Sequence, residues 1–205
     1  MTNRRPLRPA AAGAIVALLA ATVLAADQFT KYLAIENLPP GEPVHVLGDF
    51  LIFILTRNPG AAFSLGEGVT WIFTIALAVV AVVVVWLTAT RVRSRLWAVA
   101  LGLLLGGVLG NLTDRVLREP GFPVGHVVDF INTPWMMPAI YNVADIFIVS
   151  MMIGVALLVL VGLHLDGTRE RRAASDDDEE TDGAPAGASD RELPDQPTAG
   201  DAPRD

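Results

Sequence analysis

Long stretches without a charged side chain constrain this chain more than any other feature. Gly68 to Thr90, Leu96 to Thr113 and Ile146 to Leu163 run for 23, 18 and 18 residues without an Asp, Glu, Lys or Arg. A helix needs about 20 residues to cross the hydrocarbon core of a bilayer. A fourth run, Ala10 to Ala26, holds 17 and reaches spanning length through Asp27 if that residue is sheltered. Four transmembrane helices are therefore expected, over about 12–34, 69–90, 96–116 and 139–164. At 52% hydrophobic residues the chain is too apolar for an ordinary soluble domain. The first run also has the outline of a cleavable leader, with Arg4, Arg5 and Arg8 ahead of it and Ala25-Ala26 at its end. It is long for the apolar core of a leader, and the polar cluster after it looks built to be kept. Retention as a span is the expectation.

Charge placement gives the orientation. Arg4, Arg5 and Arg8 precede the first span, Arg91, Arg93 and Arg95 fill the link between the second and third, and Arg169, Arg171 and Arg172 follow the fourth. Basic clusters stay cytoplasmic, so both termini are expected inside (1–9 and 166–205). The net charge of −7 belongs to the C-terminal tail: from Asp166 onward there are 13 acidic and 5 basic residues. The remainder carries +1, so the acidity says nothing about partners of the membrane body. The tail from about 173 lacks large apolar residues, cannot build a core and is expected to be disordered and dispensable for chemistry. There is no cysteine, which excludes disulfides, thiol nucleophiles and cysteine metal sites.

Two segments, 35–68 and 117–138, fall outside the membrane. In the first, Phe50 to Thr56 is apolar, too short to span, and rich in β-branched and aromatic residues, which reads as a strand. Gly48-Asp49 supplies a hairpin turn before it. A small sheet on the outer membrane surface is expected. The second is rich in Pro and Gly and contains Asp129.

Asp27, Asp114, Asp129 and Asp145 each lie at or just beyond the end of an apolar run, and the topology brings all four to one side. Ionisable groups at such positions are costly and mark working sites. The third span ends in Asn111-Leu112-Thr113-Asp114-Arg115, whose spacing groups Asn111, Asp114 and Arg115. The fourth begins Asn142-Val143-Ala144-Asp145, which puts Asn142 and Asp145 on one face. Asp27 and Lys31, at i,i+4, can neutralise each other. Any one pair reads most simply as an ion pair pinning two helices; three at one depth, with Asp129 and Asn58 nearby, point to a site. Two close carboxylates share one proton, so one can take a proton from water while the other donates to a carbonyl oxygen. His45, His126 and His164 are scattered, and His126 with Asp129 lacks a third metal ligand. Gly102, Gly106 and Gly110, with Gly107 beside them, let a helix approach closely, within the bundle or at a dimer face. Trp71, Trp86 and Trp97 read as interfacial anchors.

Five blocks carry a family resemblance: Asp27-Gln28-Phe29-Thr30-Lys31, Arg57-Asn58-Pro59-Gly60-Ala61-Ala62-Phe63, Gly106 to Arg115, Val128-Asp129-Phe130 and Tyr141-Asn142-Val143-Ala144-Asp145. In this order, over about residues 12–165, the chain resembles lipoprotein signal peptidase (signal peptidase II); Tyr141 stands where the family usually has Phe. The resemblance implies a bacterial inner-membrane aspartic endopeptidase that removes the signal peptide from prolipoproteins, cutting just before a diacylglyceryl-modified cysteine. It implies Asp129 and Asp145 as the catalytic pair. Asp27, Lys31, Asn58, Asn111, Asp114, Arg115 and Asn142 are implied in substrate binding or support of the pair, with Asp114 in an ion-pairing or orienting role. It further implies four helices with a small extracytoplasmic β-cradle, an all-α membrane protein otherwise, and sensitivity to the cyclic peptide globomycin. Lipidated precursors and membrane lipid are the expected partners of a monomer without metal, cofactor or nucleic acid. Two other classes fit the residues less well. A proton-coupled transporter needs polar residues through the whole membrane depth, and the second and third runs lack them toward the cytoplasm. An assembly scaffold leaves the carboxylates unexplained.

Overall fold

The computed structural model describes residues 6–60 and 69–169. Four helices are present among them: α1 (Pro9–Asn37), α2 (Thr70–Thr90), α3 (Arg95–Leu117) and α4 (Val143–Leu160). Each is long and apolar enough to cross a membrane. α3 is the centre, packing against α1, α2 and α4. Two-thirds of its apolar stretch is buried, against 6% in α4, so the outer helices turn most of their surface outward. In a bilayer that surface meets lipid, which is why Leu, Val and Ile side chains can remain uncovered by protein.

The glycine repeat is spent inside the chain. A Cβ on Gly102 would lie 3.0 Å from the Val16 Cα, and one on Gly106 would lie 2.5 Å from the Val23 Cβ and 2.8 Å from the Ala20 carbonyl oxygen. These contacts seat α1 on α3. Gly107 faces the other way, where a Cβ would lie 2.7 Å from the Ala144 carbonyl oxygen of α4. Of the two readings of the stripe, intrachain packing is the one observed.

One end of the bundle gathers the arginines. Leu7 N donates to Arg93 O (2.8 Å), while Arg93 N and Ser94 N both donate to Leu165 O (2.8 and 3.0 Å). The start of α1, the α2–α3 link and the end of α4 are thereby tied together, with Arg8, Arg91, Arg93, Arg95 and Arg169 among them. Trp97 belongs to this tie and is not a surface anchor. It is 6% exposed, and its indole N–H donates to Leu163 O at 3.0 Å. Trp71 and Trp86 are exposed, as expected of anchors.

The opposite end carries an antiparallel sheet in the order β1 (Val44–Leu47), β2 (Leu51–Asn58), β3 (Val127–Thr133), β4 (Met137–Tyr141). The expected hairpin turn is there, with Gly48 at φ 53° between β1 and β2. The second outer segment departs from its irregular reading. Val127 to Thr133 is buried at nearly every position, and its β-branched residues suit a strand covered on both faces. Asp129 is thus a strand residue, paired with Thr56 of β2. The fourth helix begins at Val143 and not at about 139, because Ile140 and Tyr141 pair with β3 and Asn142 caps the helix. α1 starts earlier than expected, at Pro9, whose fixed φ suits a first helical position. The tail from 173 lies outside the described residues.

Candidate active site

Polar side chains collect where the helices meet the sheet. Lys31 on α1 and Asp27 one turn before it are both fully buried, with Lys31 Nζ 2.9 Å from Asp27 Oδ2. The same ammonium lies 2.8 Å from Asp114 Oδ2 on α3 and 3.0 Å from Asn111 Oδ1. Arg118 closes on the other oxygen of Asp114 at 2.7 Å. Two buried acids and two bases balance, as buried charge must. Both acids also hold backbone: Asp27 Oδ1 accepts from Ala144 N (3.0 Å) and Asp114 Oδ2 from Val128 N (3.2 Å).

Ala144 precedes Asp145, and Val128 precedes Asp129. α4 opens with a capping box: Asn142 Oδ1 accepts from Asp145 N at 3.0 Å, and Asp145 Oδ2 accepts from Asn142 N at 3.1 Å. Asn142 therefore caps the helix and does not share its face. Its side-chain amide donates to Asp129 Oδ1 at 2.6 Å and to Asn111 Oδ1 at 3.2 Å. Asn111 Nδ2 donates to Asp145 Oδ1 at 2.8 Å. Asn58, at the end of β2, donates to Asp129 Oδ2 at 2.9 Å. One fully buried asparagine so bridges a strand aspartate and a helix aspartate.

Both carboxylates line a half-open cavity of about 360 Å³. Asn58, Asn111 and Arg115 share its polar wall, and Phe73, Leu77, Ile148 and Val149 form an apolar one. Burial, followed by the neighbouring charge of Asp145, pushes the Asp129 carboxyl up to about 7. The Arg115 guanidinium is 3% exposed and donates to the carbonyls of Pro59 (2.8 Å), Gly60 and Gly125 (3.2 Å). It makes no ion pair among the described residues; its Nε is buried without a partner. Asp129, Asp114 and Asp145 are the charges that act on it.

All nine residues singled out from the sequence thus lie in one connected region. Two contributors were missed. Gln28 Nε2 reaches Asp27 Oδ2, Gly110 O and Asp114 Oδ1, each at 3.1 Å, and Arg118 balances Asp114. The i,i+4 spacing of Asp114 and Arg118 was a usable signal. So was the Asn-x-x-Asp pattern at 142–145, which resembles a capping box. Gln28 had none beyond its place beside Asp27.

Comparison with known proteins gives the family. Residues 19–164 match the family described as signal peptidase (SPase) II. A lipoprotein signal peptidase of Leifsonia xyli subsp. xyli (strain CTCB07) is 52% identical over 157 residues, covering 77% of this chain and 72% of the relative. One of Rhodococcus jostii (strain RHA1) is 48% identical over 153 residues, covering 75% and 76%. A solved structure described as a bacterial membrane enzyme, determined by the in meso method at 2.3 Å, aligns with a TM-score of 0.64 at 31% identity. That alignment covers 71% of this chain and 87% of the other. A second, at 1.9 Å, gives 0.62 at 32% identity over 71% and 92%. The matched span runs from within α1 past the end of α4, taking in the whole sheet, so this multi-pass membrane protein belongs to the signal peptidase II family.

Proposed function

We propose that the chain is a membrane-embedded aspartic endopeptidase that cuts prolipoproteins just before the diacylglyceryl-modified cysteine, with Asp129 and Asp145 activating water. One observation carries this reading: two carboxylates from different elements line one cavity and are bridged by Asn142. With one proton between them, the ionised carboxylate removes a proton from water as it attacks the scissile carbonyl. The protonated one donates to the carbonyl oxygen, and the resulting tetrahedral species collapses with that proton economy reversed, leaving a free amine and a carboxylate. No covalent enzyme intermediate is needed. Asn58, Asn111 and Asn142 hold the two groups, and the nearby Arg115 charge favours an anionic site. The apolar wall suits the acyl chains and apolar side chains of a substrate that stays in the bilayer.

By the positive-inside rule the arginine end is cytoplasmic, so the site faces the outer leaflet of the inner membrane, at the depth of a lipidated cysteine. The test is to incubate purified protein in lipid vesicles with a diacylglyceryl-modified precursor and with its unmodified form. Release of signal peptide from the modified precursor alone is expected; no release from either would overturn the assignment.

A pH dependence follows from the Asp129 carboxyl. Cleavage needs one proton on the pair. The rate should therefore fall as pH rises through about 7, where that proton leaves, and fall again at acid pH where both groups are protonated. A single-turnover rate that stays flat from about pH 6 to about pH 9 would contradict the shared proton.

A further inference from the structure

We propose that Lys31 is a positioning residue: it fixes which way the Asn111 and Asn142 amides point, and thereby presents a hydrogen-bond donor to each carboxylate of the pair. The inference rests on the assignment of Asp129 and Asp145 above.

A lysine ammonium has three donors and no acceptor. Lys31, fully buried, spends them on Asp27 Oδ2 (2.9 Å), Asp114 Oδ2 (2.8 Å) and Asn111 Oδ1 (3.0 Å). A carboxamide has a carbonyl on one side and an NH2 on the other, and only the carbonyl can face an ammonium. The Asn111 NH2 is therefore turned toward Asp145 Oδ1, at 2.8 Å. The Asn111 carbonyl also accepts from Asn142 Nδ2, at 3.2 Å, which sets the second amide in turn. Its NH2 faces Asp129 Oδ1 at 2.6 Å, and its carbonyl is left for Asp145 N at 3.0 Å. One cation orders two amides in series.

The backbone is held from the same point. The carboxylates that flank Lys31 accept from Ala144 N and Val128 N, the residues just before Asp145 and Asp129. Lys31 thus joins both reacting carboxylates by side chain and by main chain. The simpler reading is that Lys31 only neutralises buried acid. It accounts for the ion pairs but predicts that the losses of Lys31 and of Asn111 simply add. Among the described residues, the charged groups that act on the pair are Asp27 and Lys31 from α1 and Arg115 from α3, with Asp114 and Arg118 beyond Lys31.

Lys31→Met alone leaves two buried acids with one base, so the variant to use is Lys31→Met with Asp27→Asn, which keeps the cluster neutral through Asp114 and Arg118. With a lipidated precursor in vesicles, kcat should fall about 10- to 100-fold, the scale of a small misplacement of a reacting group. KM should stay within about threefold. The acid limb of the pH–rate profile should move up by about one unit, because a donor to the ionised pair is lost. Introduced into Asn111→Leu, the same two changes should cost less than about threefold more, since the amide path is already cut and an asparagine carbonyl at 27 and the Asp114 carboxylate still accept from Ala144 N and Val128 N. A full repeat of the loss in that background, or an unchanged rate, overturns the proposal. Should the Lys31 variants fail to fold, Asn111→Leu leaves Lys31 in place and removes the donor to Asp145 without adding charge; it should raise the acid limb likewise, and an unmoved profile overturns the proposal. Asp129→Asn and Asp145→Asn run alongside. If either cleaves at the normal rate the assignment of the pair has failed, whereas inactivity of both with additive losses in the Asn111→Leu background means that the amide relay alone is wrong.

Discussion

Asp129→Asn and Asp145→Asn should each lower cleavage of a lipidated precursor by at least about 10³-fold, as loss of an essential acid–base group does, while the protein stays inserted and folded. The substitutions are close in shape, so the loss would be chemical. An amide can neither take the proton of water nor share one with its neighbour. In Asp145→Asn the side-chain carbonyl can still accept from Asn142 N, which keeps the capping box, while the new NH2 faces the Asn111 NH2 and loses that bond, at a cost of about 1 kcal/mol. In Asp129→Asn the new NH2 must face Asn58 or Asn142, both of which donate to Asp129. Turning the Asn58 amide solves this and forfeits its bond from Gly60 N, at a cost of about 1 kcal/mol. Unfolding in detergent should therefore shift little. Cleavage by either variant at the wild-type rate would refute the proposed pair.

Gly110→Ala should be the most damaging of the smallest changes. A Cβ at 110 would sit 2.6 Å from Asp27 Oδ2 and 3.1 Å from the Ala144 Cβ. The Asp27 carboxylate cannot step aside without leaving Lys31 and the Ala144 amide. One methyl group therefore strains the α1–α3–α4 junction and breaks a buried ion pair together. Overpacking alone costs about 1–3 kcal/mol, and breaking a buried pair about 3–5, so a loss near the top of these ranges is expected, with activity lost too. Gly13→Ala is the control. Nothing lies within 4 Å of a Cβ there, and alanine in a helix is favoured over glycine by about 1 kcal/mol. Thermal unfolding that separates the two variants by less than a few degrees would show that the junction yields more easily than its geometry suggests.

How much of this was legible beforehand depends on the kind of signal. The helices were, because missing charge over some 20 residues leaves few alternatives to a span. Leu51–Asn58 was, because short, β-branched and flanked by turn residues is a local pattern. Val127–Thr133 was not read as a strand. Its neighbours Pro120, Gly121, Pro123 and Gly125 suggested irregular chain, and what makes it a strand is pairing with β2, from which α2 and α3 separate it in sequence. Spacing along each helix found the site residues one element at a time. It could not show that Asn142 joins Asp129 to Asp145, nor that Lys31 reaches Asn111, since those bonds cross from one element to another. Trp97 was misplaced for a similar reason: its position near a span's end fits an anchor, and only the fold reveals the Leu163 carbonyl beneath it.

Asn142 has a consequence for the life of the protein before it is complete. The same residue that starts the last helix also joins the two halves of the proposed catalytic pair, one delivered by a strand and one by a helix. Under the proposed assignment, no hydrolytic machinery exists until the final span is threaded and the sheet has formed. A newly made copy, still exposing its own unassembled segments to the bilayer, would on that assignment be chemically inert, and the capacity to cut would arrive only with maturity.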